Sequence, residues 1–167
     1  MPMKHILAAH AAMRARVEAP PFAPSLGAFV DQKATEHGSA PVWRFIEQPD
    51  ASPLGDLSYT GLAEATRRIA AGLAARGVQR GERVGVMLPN IPQSLAAWLG
   101  LARLGARMIP INPGYTPDEL RYWLTDGDAE YLLIDGSRID TFHAVEKDAP
   151  LLARERMTIW GDPIEGF

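Results

Sequence analysis

Cysteine is absent from this chain of 167 residues. The absence excludes disulfide bonds and a thiol nucleophile. The four histidines, His5, His10, His37 and His143, also lack the spacing of a metal-ligand set. The sequence therefore predicts no structural zinc site.

A strong charge of one sign and long apolar runs are missing as well. The net charge is -3, and the arginines are scattered rather than clustered, so we expect no nucleic-acid partner. The apolar stretch near the amino terminus is interrupted by His10, Arg14, Arg16 and Glu18 before a signal-peptide core or a membrane span is complete. The sequence therefore predicts a cytoplasmic protein.

An alternation of strands and helices is clearly present between residues 83 and 135. Three apolar runs without clean alternation, Val84–Leu88, Met108–Ile111 and Tyr131–Ile134, are typical of strands covered on both faces. Helical segments separate these runs, so we predict an α/β fold with a Rossmann-like parallel sheet, right-handed crossovers and flanking helices. Pro110 cannot donate to a strand ladder, which places its strand near an edge or at a bulge.

Capping residues mark the ends of the two intervening helices. Thr116, Pro117 and Glu119 predict a helix with a capping box, and Gly127 predicts a left-handed stop. For the preceding helix we predict Asn90 as the N-cap, Pro92 in the first turn and Gly105 at the end.

The flanking segments extend this unit in both directions. Before the first strand of the sheet, we predict a helix over Leu26–His37 with Leu26, Phe29, Val30 and Ala34 buried, and then an antiparallel strand pair formed by Pro41–Glu47 and Leu57–Tyr59. A helix over Gly61–Arg76 follows, capped by Thr60 and closed by Gly77. After the third strand, we predict a short helix over Ile139–Val145 and a strand over Met157–Trp160. Residues 1–24 are expected to be an N-terminal extension, and residues 25–167 an N-terminal α/β subdomain.

The connections after the first two strands are poor phosphate sites. They read Leu88-Pro89-Asn90 and Asn112-Pro113-Gly114, and neither is a G-x-G-x-x-G turn or a G-x-x-x-x-G-K-[ST] loop. Each contains a proline, which has no amide hydrogen for an anion. A dinucleotide-binding or Walker-type site is therefore disfavoured, and a nucleotide-dependent oxidoreductase ranks last.

We interpret the aromatic residues as packing residues and the aspartates near Gly127 as turn residues, rather than as parts of a binding site. Trp98, Trp123 and Trp160 are predicted in the core or a buried interface, and Tyr115 against the rim of the sheet. Asp126 and Asp128 are interpreted as turn residues rather than metal ligands. No acid–base pair or triad can be assembled, so we assign no catalytic, cofactor-binding or metal residues, and the substrate-binding residues stay unknown.

Four segments in order resemble the adenylate-forming (AMP-binding) acyl-CoA synthetases. They are L-S-Y-T-G-L-A-E-A-T-R-R-I-A-A-G-L-A-A-R-G at 57–77, G-E-R-V-G-V-M-L-P-N at 81–90, A-W-L-G-L-A-R-L-G-A at 97–106 and I-N-P-G-Y-T-P-D-E-L at 111–120. The last segment is most similar to the fatty-acid, aryl-acid and luciferase-like branches. The likeness covers about residues 26–135.

The resemblance implies a fatty-acid–CoA ligase that uses ATP, Mg²⁺ and coenzyme A and passes through an acyl-adenylate. The family's Ser/Thr/Gly-rich phosphate loop, which ends in Pro-Lys-Gly, matches no stretch here. We therefore expect an amino-terminal fragment that is inactive alone and binds none of these molecules. We expect its partner to be the remainder of its own chain. Without that remainder, we expect the fragment to self-associate through the apolar surface that the remainder would bury. Fatty acid would be the substrate of the full-length parent, for which a membrane-peripheral position stays open.

A second hypothesis stays open beside the fragment. The chain could be a stand-alone α/β binding or oligomerisation module derived from the ligase fold. The reading frame downstream of Phe167 distinguishes the two, because only the parent hypothesis requires it to continue into the phosphate loop. Acyl-chain length and the choice between fatty and aryl acids do not follow from these residues.

Overall fold

The structure is a computed structural model that describes residues 8–11, 13–14, 23–46, 55–149 and 151–161. Residues 8–11 and 13–14 are helical. From residue 26 onward the helices are α1 (Leu26–His37), α2 (Tyr59–Ala75), α3 (Pro92–Leu104), α4 (Pro117–Asp126) and α5 (Ile139–His143). Its strands are β1 (Pro41–Phe45), β2 (Gly55–Ser58), β3 (Arg83–Met87), β4 (Arg107–Pro110), β5 (Tyr131–Asp135) and β6 (Met157–Trp160). Short 3₁₀ turns cover Gly136–Arg138, Glu146–Asp148 and Arg154–Arg156. Most of the predicted N-terminal extension, and Glu47 of the first predicted strand, lie outside the described residues.

Strands β3 to β6 form one parallel sheet in the order β4-β3-β5-β6. Val84 of β3 is level with Met108 of β4 and with Tyr131 of β5, and Leu132 of β5 is level with Met157 of β6. The predicted common parallel sheet is confirmed. Pro110 lies on β4, an edge strand, as the missing donor requires. The predicted antiparallel pair is confirmed as β1 and β2.

Helices cover both faces of the sheet, so the fold has three layers. One face buries Val84, Val86, Tyr131 and Leu133 beneath α2 and α3. The other face buries Met87, Leu132 and Ile134 beneath α4 and α5, with Leu120, Leu124 and Phe142 supplied by those helices. Near-continuous apolar strands follow from burial on both faces.

Helices α2 and α3 approach most closely at Gly100. A Cβ placed there would lie 2.8 Å from Cγ2 and 3.1 Å from Cβ of Ile69, and 3.2 Å from the carbonyl oxygen of Thr66. Real Cβ atoms do not come that close to another carbon, so only glycine permits this contact distance. The contact sets the spacing between the two helices that cover this face of the sheet.

Arg103 joins α3 to α1 and α2. Its guanidinium donates to both carboxylate oxygens of Asp31 at 2.7 and 2.9 Å, to the Gly27 carbonyl at 3.2 Å and to the Thr66 hydroxyl at 3.3 Å. Arg67 adds a further bond to Asp31 at 2.6 Å. Helix α1 is therefore held by a bidentate ion pair as well as by the small cluster around Val30 and Leu62.

Two predicted N-caps are wrong. Helix α2 begins at Tyr59 with Ser58 as its cap, whose hydroxyl accepts from the Gly61 amide at 3.0 Å, so Thr60 lies within the helix. Helix α3 begins at Pro92 with Ile91 as N-cap, and Asn90 lies outside. Proline disfavours helical backbone in the residue before it, and Ile91 is accordingly extended at φ -118°.

The helix stop after α4 also differs from the prediction. Gly127 has φ -76°, and the left-handed residue is Asp128 at φ 45°. Gly127 is needed for space instead, since a Cβ there would lie 2.6 Å from the Trp123 carbonyl oxygen. Gly77 and Gly105 follow the ends of their helices, as predicted, and both have positive φ values, of 83° and 81°.

Several predicted core side chains are exposed. Trp98 is 49 % exposed, Trp160 is 40 % exposed and Leu26 is 40 % exposed. Their predicted place in the core of this chain is therefore wrong, while the buried interface predicted as the alternative for the two tryptophans stays a prediction. Trp123 does pack against the buried residues of the α4 face, and Val30 is buried as predicted. The helix over Ile139–Val145 ends earlier, at His143, while the strand Met157–Trp160 has the predicted bounds.

Candidate functional site

The carboxyl ends of the parallel strands are the first place to look for a ligand site in this fold. Strand β3 runs into Leu88-Pro89-Asn90, β4 into Ile111-Asn112-Pro113, and β5 into Gly136-Ser137. Parallel strands end on the same edge of the sheet, so these connections lie along one rim. The hydrogen bonds of the rim decide whether it offers free groups to a ligand.

The connection after β4 is closed by its own side chains. The Asn112 side-chain oxygen accepts from the Gly114 amide at 2.8 Å, and the Asn112 carbonyl accepts from the Tyr115 amide at 3.0 Å. This is an Asx turn, which leads directly into the N-terminus of α4. The Asn112 side-chain oxygen is therefore engaged in shaping the turn.

Thr116 and Glu119 form the predicted capping box at the start of α4. A Glu119 carboxylate oxygen accepts from the Thr116 amide and from its hydroxyl, both at 2.8 Å, and the Thr116 hydroxyl accepts from the Glu119 amide at 3.4 Å. The Thr116 amide, with its hydroxyl, holds the pKa of Glu119 below its usual value. The charged form of Glu119 is the one that caps the helix.

Thr116→Ala should lower the free energy of unfolding by about 1 kcal/mol, because the first turn of α4 loses its capping hydroxyl. Denaturation in urea measures the change. Thr125→Ala is the matched control, since that hydroxyl bonds only to carbonyls of its own helix, those of Arg121 and Tyr122. A threonine at 116 that can be replaced without loss of stability would contradict the structural role.

The other two connections are also engaged internally. The Ser94 hydroxyl donates to the Pro89 carbonyl after β3. The Asp135 carboxylate accepts from the amide of Ser137 at 3.0 Å after β5. Both contacts stabilise turns, so these residues act in local structure.

Tyr115 lies where the β4 connection meets α4. Its ring stacks on Trp123 with centroids 6.3 Å apart and an interplanar angle of 10°, and both rings pack against the buried cluster of the α4 face. The predicted packing of Tyr115 against the sheet rim is confirmed.

Ionisable residues in the described part of the chain form no recognisable catalytic constellation. Among these residues, no three His, Asp or Glu side chains gather as a metal site. Lowered pKa values belong to Asp31, Glu36 and Glu119, and a hydrogen-bond donor is the first cause in each: Arg103, Lys33 and the Thr116 amide. These carboxylates serve ion pairs and a helix cap rather than acid–base chemistry.

A concave surface of the described residues lies along α2, beside the ends of β5 and β6. It comprises two adjoining hollows of about 140 and 440 Å³ that share Ile69, Gln93 and Trp160. Leu73, Leu133 and Thr158 continue its lining toward the sheet. We call this surface the α2 groove. The sequence analysis did not predict this groove, because its walls come from four segments that are separated in the sequence.

Comparison with known proteins identifies the family. The AMP-binding enzyme family matches residues 30–165, which is most of the chain. The chain belongs to the AMP-binding enzyme family.

Relatives in this family include acyl-CoA and acetyl-CoA ligases. The long-chain-fatty-acid–CoA ligase of Escherichia coli O6:H1 is 33% identical over 128 residues, which cover 74% of this chain and 22% of that protein. The acetyl-coenzyme A synthetase of Halorhodospira halophila is 37% identical over 87 residues, 52% of this chain and 13% of that protein. This AMP-binding family chain thus spans about a fifth or less of the length of these relatives.

A solved structure agrees with this assignment. The long-chain-fatty-acid–CoA ligase FadD1 of Archaeoglobus fulgidus superposes with a TM-score of 0.74 at 28% identity, covering 84% of this chain and 28% of that one. The α/β fold predicted for the chain is therefore that of the adenylate-forming enzymes. None of the helices in the described part of this AMP-binding family chain is long and apolar enough to cross a membrane.

Proposed function

We propose that this chain is the amino-terminal part of an ATP-dependent fatty-acid–CoA ligase. The family match over residues 30–165 carries the proposal, and the 33% identity to a long-chain-fatty-acid–CoA ligase supports the substrate class. The reaction joins a carboxylic acid to coenzyme A and converts ATP to AMP and pyrophosphate through an acyl-adenylate. Medium or long fatty acids are the first substrates to test, and the cytoplasm is the proposed location.

The described residues do not fit ATP or Mg²⁺. The Asn112 side-chain oxygen already accepts a hydrogen bond from the Gly114 amide, and the Thr116 amide already donates to the Glu119 carboxylate. Each of the first two rim connections also contains a proline. Free amides and a carboxylate pair are what a nucleotide phosphate and its cation would require. No catalytic step is therefore assigned to these residues.

The contribution of this chain is then a scaffold. Its parallel sheet, covered by α2 and α3 on one face and by α4 and α5 on the other, would support nucleotide- and acid-binding segments supplied by the rest of a longer protein. We infer that the 167 residues alone neither bind ATP appreciably nor form acyl-adenylate.

Calorimetry of the 167-residue chain with ATP and MgCl₂ should show no binding heat, and a pyrophosphate-release assay with fatty acid and coenzyme A should show no turnover. The E. coli long-chain-fatty-acid–CoA ligase is the positive control under the same conditions. Tight ATP binding by the 167-residue chain would overturn the scaffold role.

The parent activity is tested separately. We expect the reading frame to continue past Phe167 into a Ser/Thr/Gly-rich loop ending in Pro-Lys-Gly, and the encoded protein to release pyrophosphate only when a carboxylic acid is added. A stop codon at that point would favour the stand-alone module. A longer protein that stays silent with both fatty and aryl acids would refute the ligase.

A further inference from the structure

The α2 groove has a basic edge. Arg68, Gly72 and Arg76 follow one another at intervals of four residues along α2, so they lie on one side of that helix, and all three line the groove. Both arginines are exposed, and among the described residues neither guanidinium has an ion-pair or hydrogen-bond partner. An occupant of this groove therefore gains from carboxylates placed along that edge.

The floor of the groove is apolar and has no cover in the described part of the chain. Ile69 and Leu73 line it, and Trp160 borders both hollows while its side chain is 40 % exposed. The Thr158 hydroxyl is paired with the Tyr131 hydroxyl at 2.6 Å, which leaves it little to offer a polar ligand. The groove therefore fits a chain segment that carries apolar side chains beside its carboxylates.

The residues that follow the groove in the sequence have this composition. The segment Asp162-Pro163-Ile164-Glu165-Gly166-Phe167 carries two carboxylates, three apolar side chains and no basic residue. It begins two residues after Trp160, and Gly161 between them is a bend with φ 114°, a backbone conformation that favours glycine. The segment is thus joined to the border of the groove by a single residue.

We propose that residues Asp162–Phe167 close the α2 groove, with Asp162 beside Arg68 and Glu165 beside Arg76. The charges are complementary, and Ile164 and Phe167 supply apolar surface for the floor. A segment tethered this closely is present at a far higher effective concentration than a second copy of the chain. The segment itself, rather than a second copy, is therefore the occupant that the structure favours.

The dimensions of α2 fit this arrangement. Arg68 and Arg76 are eight residues apart in the sequence, which is about 12 Å along a helix. Three residues of extended chain span about 9–11 Å, and the long arginine side chains cover the remainder. Ile164 then lies level with Gly72, where an added Cβ would have no other atom within 4 Å. The groove therefore has room for a side chain at that level.

Disulfide formation tests the path of the segment, since the chain has no cysteine of its own. Gly72→Cys combined with Ile164→Cys should lose both free thiols on mild oxidation, while the protein stays monomeric on a non-reducing gel. Ala71→Cys with Ile164→Cys is the matched control. Ala71 is exposed and adjoins Gly72 on the same helix, but it does not line the groove. Its crosslinking should be at least about tenfold slower, because a Cβ that points away from its partner cannot be bridged.

Charge reversal in the same double-cysteine chain tests the ion pairs. Arg76→Glu should slow crosslinking at least about threefold, because it replaces an attraction to Glu165 with a repulsion. Adding Glu165→Arg should restore the rate. Arg80→Glu is the control: it changes the net charge equally at an exposed position outside the groove, and should leave the rate unchanged.

Three results would overturn the proposal. Disulfide-linked dimers in place of the internal bond would assign the groove to a second copy. Equal crosslinking rates from positions 71 and 72, or no bond from either, would show that the segment is not seated in the groove. None of these measurements uses ATP or a carboxylic acid substrate, so their outcome is independent of the proposed ligase activity.

Discussion

Gly100→Ala should destabilise the protein by about 1–2 kcal/mol, although alanine is the better helix former by about 1 kcal/mol. The new methyl group would lie 2.8 Å from Cγ2 of Ile69 and 3.2 Å from the Thr66 carbonyl oxygen, so α2 and α3 must separate. Separation weakens the packing of both helices on the sheet. Urea denaturation gives the change as a lower midpoint.

Gly72→Ala is the matched control for that substitution. Gly72 also lies within a helix, α2, but a Cβ at that position has no other atom within 4 Å. The same replacement should therefore stabilise the protein by about 0.5–1 kcal/mol through helix propensity alone. Two substitutions with identical chemistry should thus have opposite signs. A stabilising Gly100→Ala would show that the helices are not held at the contact distance of the structure.

Arg103→Met should lower the free energy of unfolding by about 2 kcal/mol at neutral pH. The methionine retains most of the aliphatic stem, so the change removes mainly the two bonds to Asp31 and those to Gly27 and Thr66. The expected value stays below that of a fully buried ion pair because the Asp31 side chain is 36 % exposed. Arg67→Met is the control; its guanidinium bonds the same carboxylate from a more exposed position and should cost well under 1 kcal/mol.

The pH dependence distinguishes the ion pair from simple packing. Hydrogen bonds from Arg103 hold the pKa of Asp31 below its ordinary value. A carboxyl with a lowered pKa in the folded state stabilises the protein above its unfolded pKa of about 3.9, and this contribution is lost as the pH falls through the folded value. The stability gap between wild type and Arg103→Met should therefore be constant above about pH 5 and narrow below about pH 4. A gap that does not change with pH would assign the effect to packing.

The strands and helices were predictable because their signals are local. Apolar runs of strand length and the Thr116–Glu119 pair occur within a few consecutive residues, and the structure confirms both. The N-cap of α2 was misplaced because a rival capping side chain, Ser58, lies two residues before Thr60. At α3 the constraint that proline places on Ile91 excludes Asn90.

The burial of individual side chains and the ion pairs between distant residues could not be predicted from local sequence patterns. Trp98 and Trp160 are apolar residues at positions that the rest of the fold leaves open, and composition cannot distinguish them from Trp123. The Asp31–Arg103 pair joins residues 72 positions apart, and scattered arginines carry no periodicity that would predict it. The rim residues form turns and helix caps and so indicate no activity. The family was instead indicated by the four sequence segments that resemble it in the same order.

The strand order also fixes how the sheet can grow as the chain leaves the ribosome. Strand β3 emerges first and occupies an inner position; β4 then adds on one side, β5 on the other, and β6 last beside β5. Every later strand meets an edge that already exists, so no strand has to insert between two others. Once residues up to Asp135 have emerged from the ribosome, β3, β4 and β5 can already pair as three adjacent strands. A chain that begins after Met87, in contrast, lacks β3, the strand with which both β4 and β5 pair.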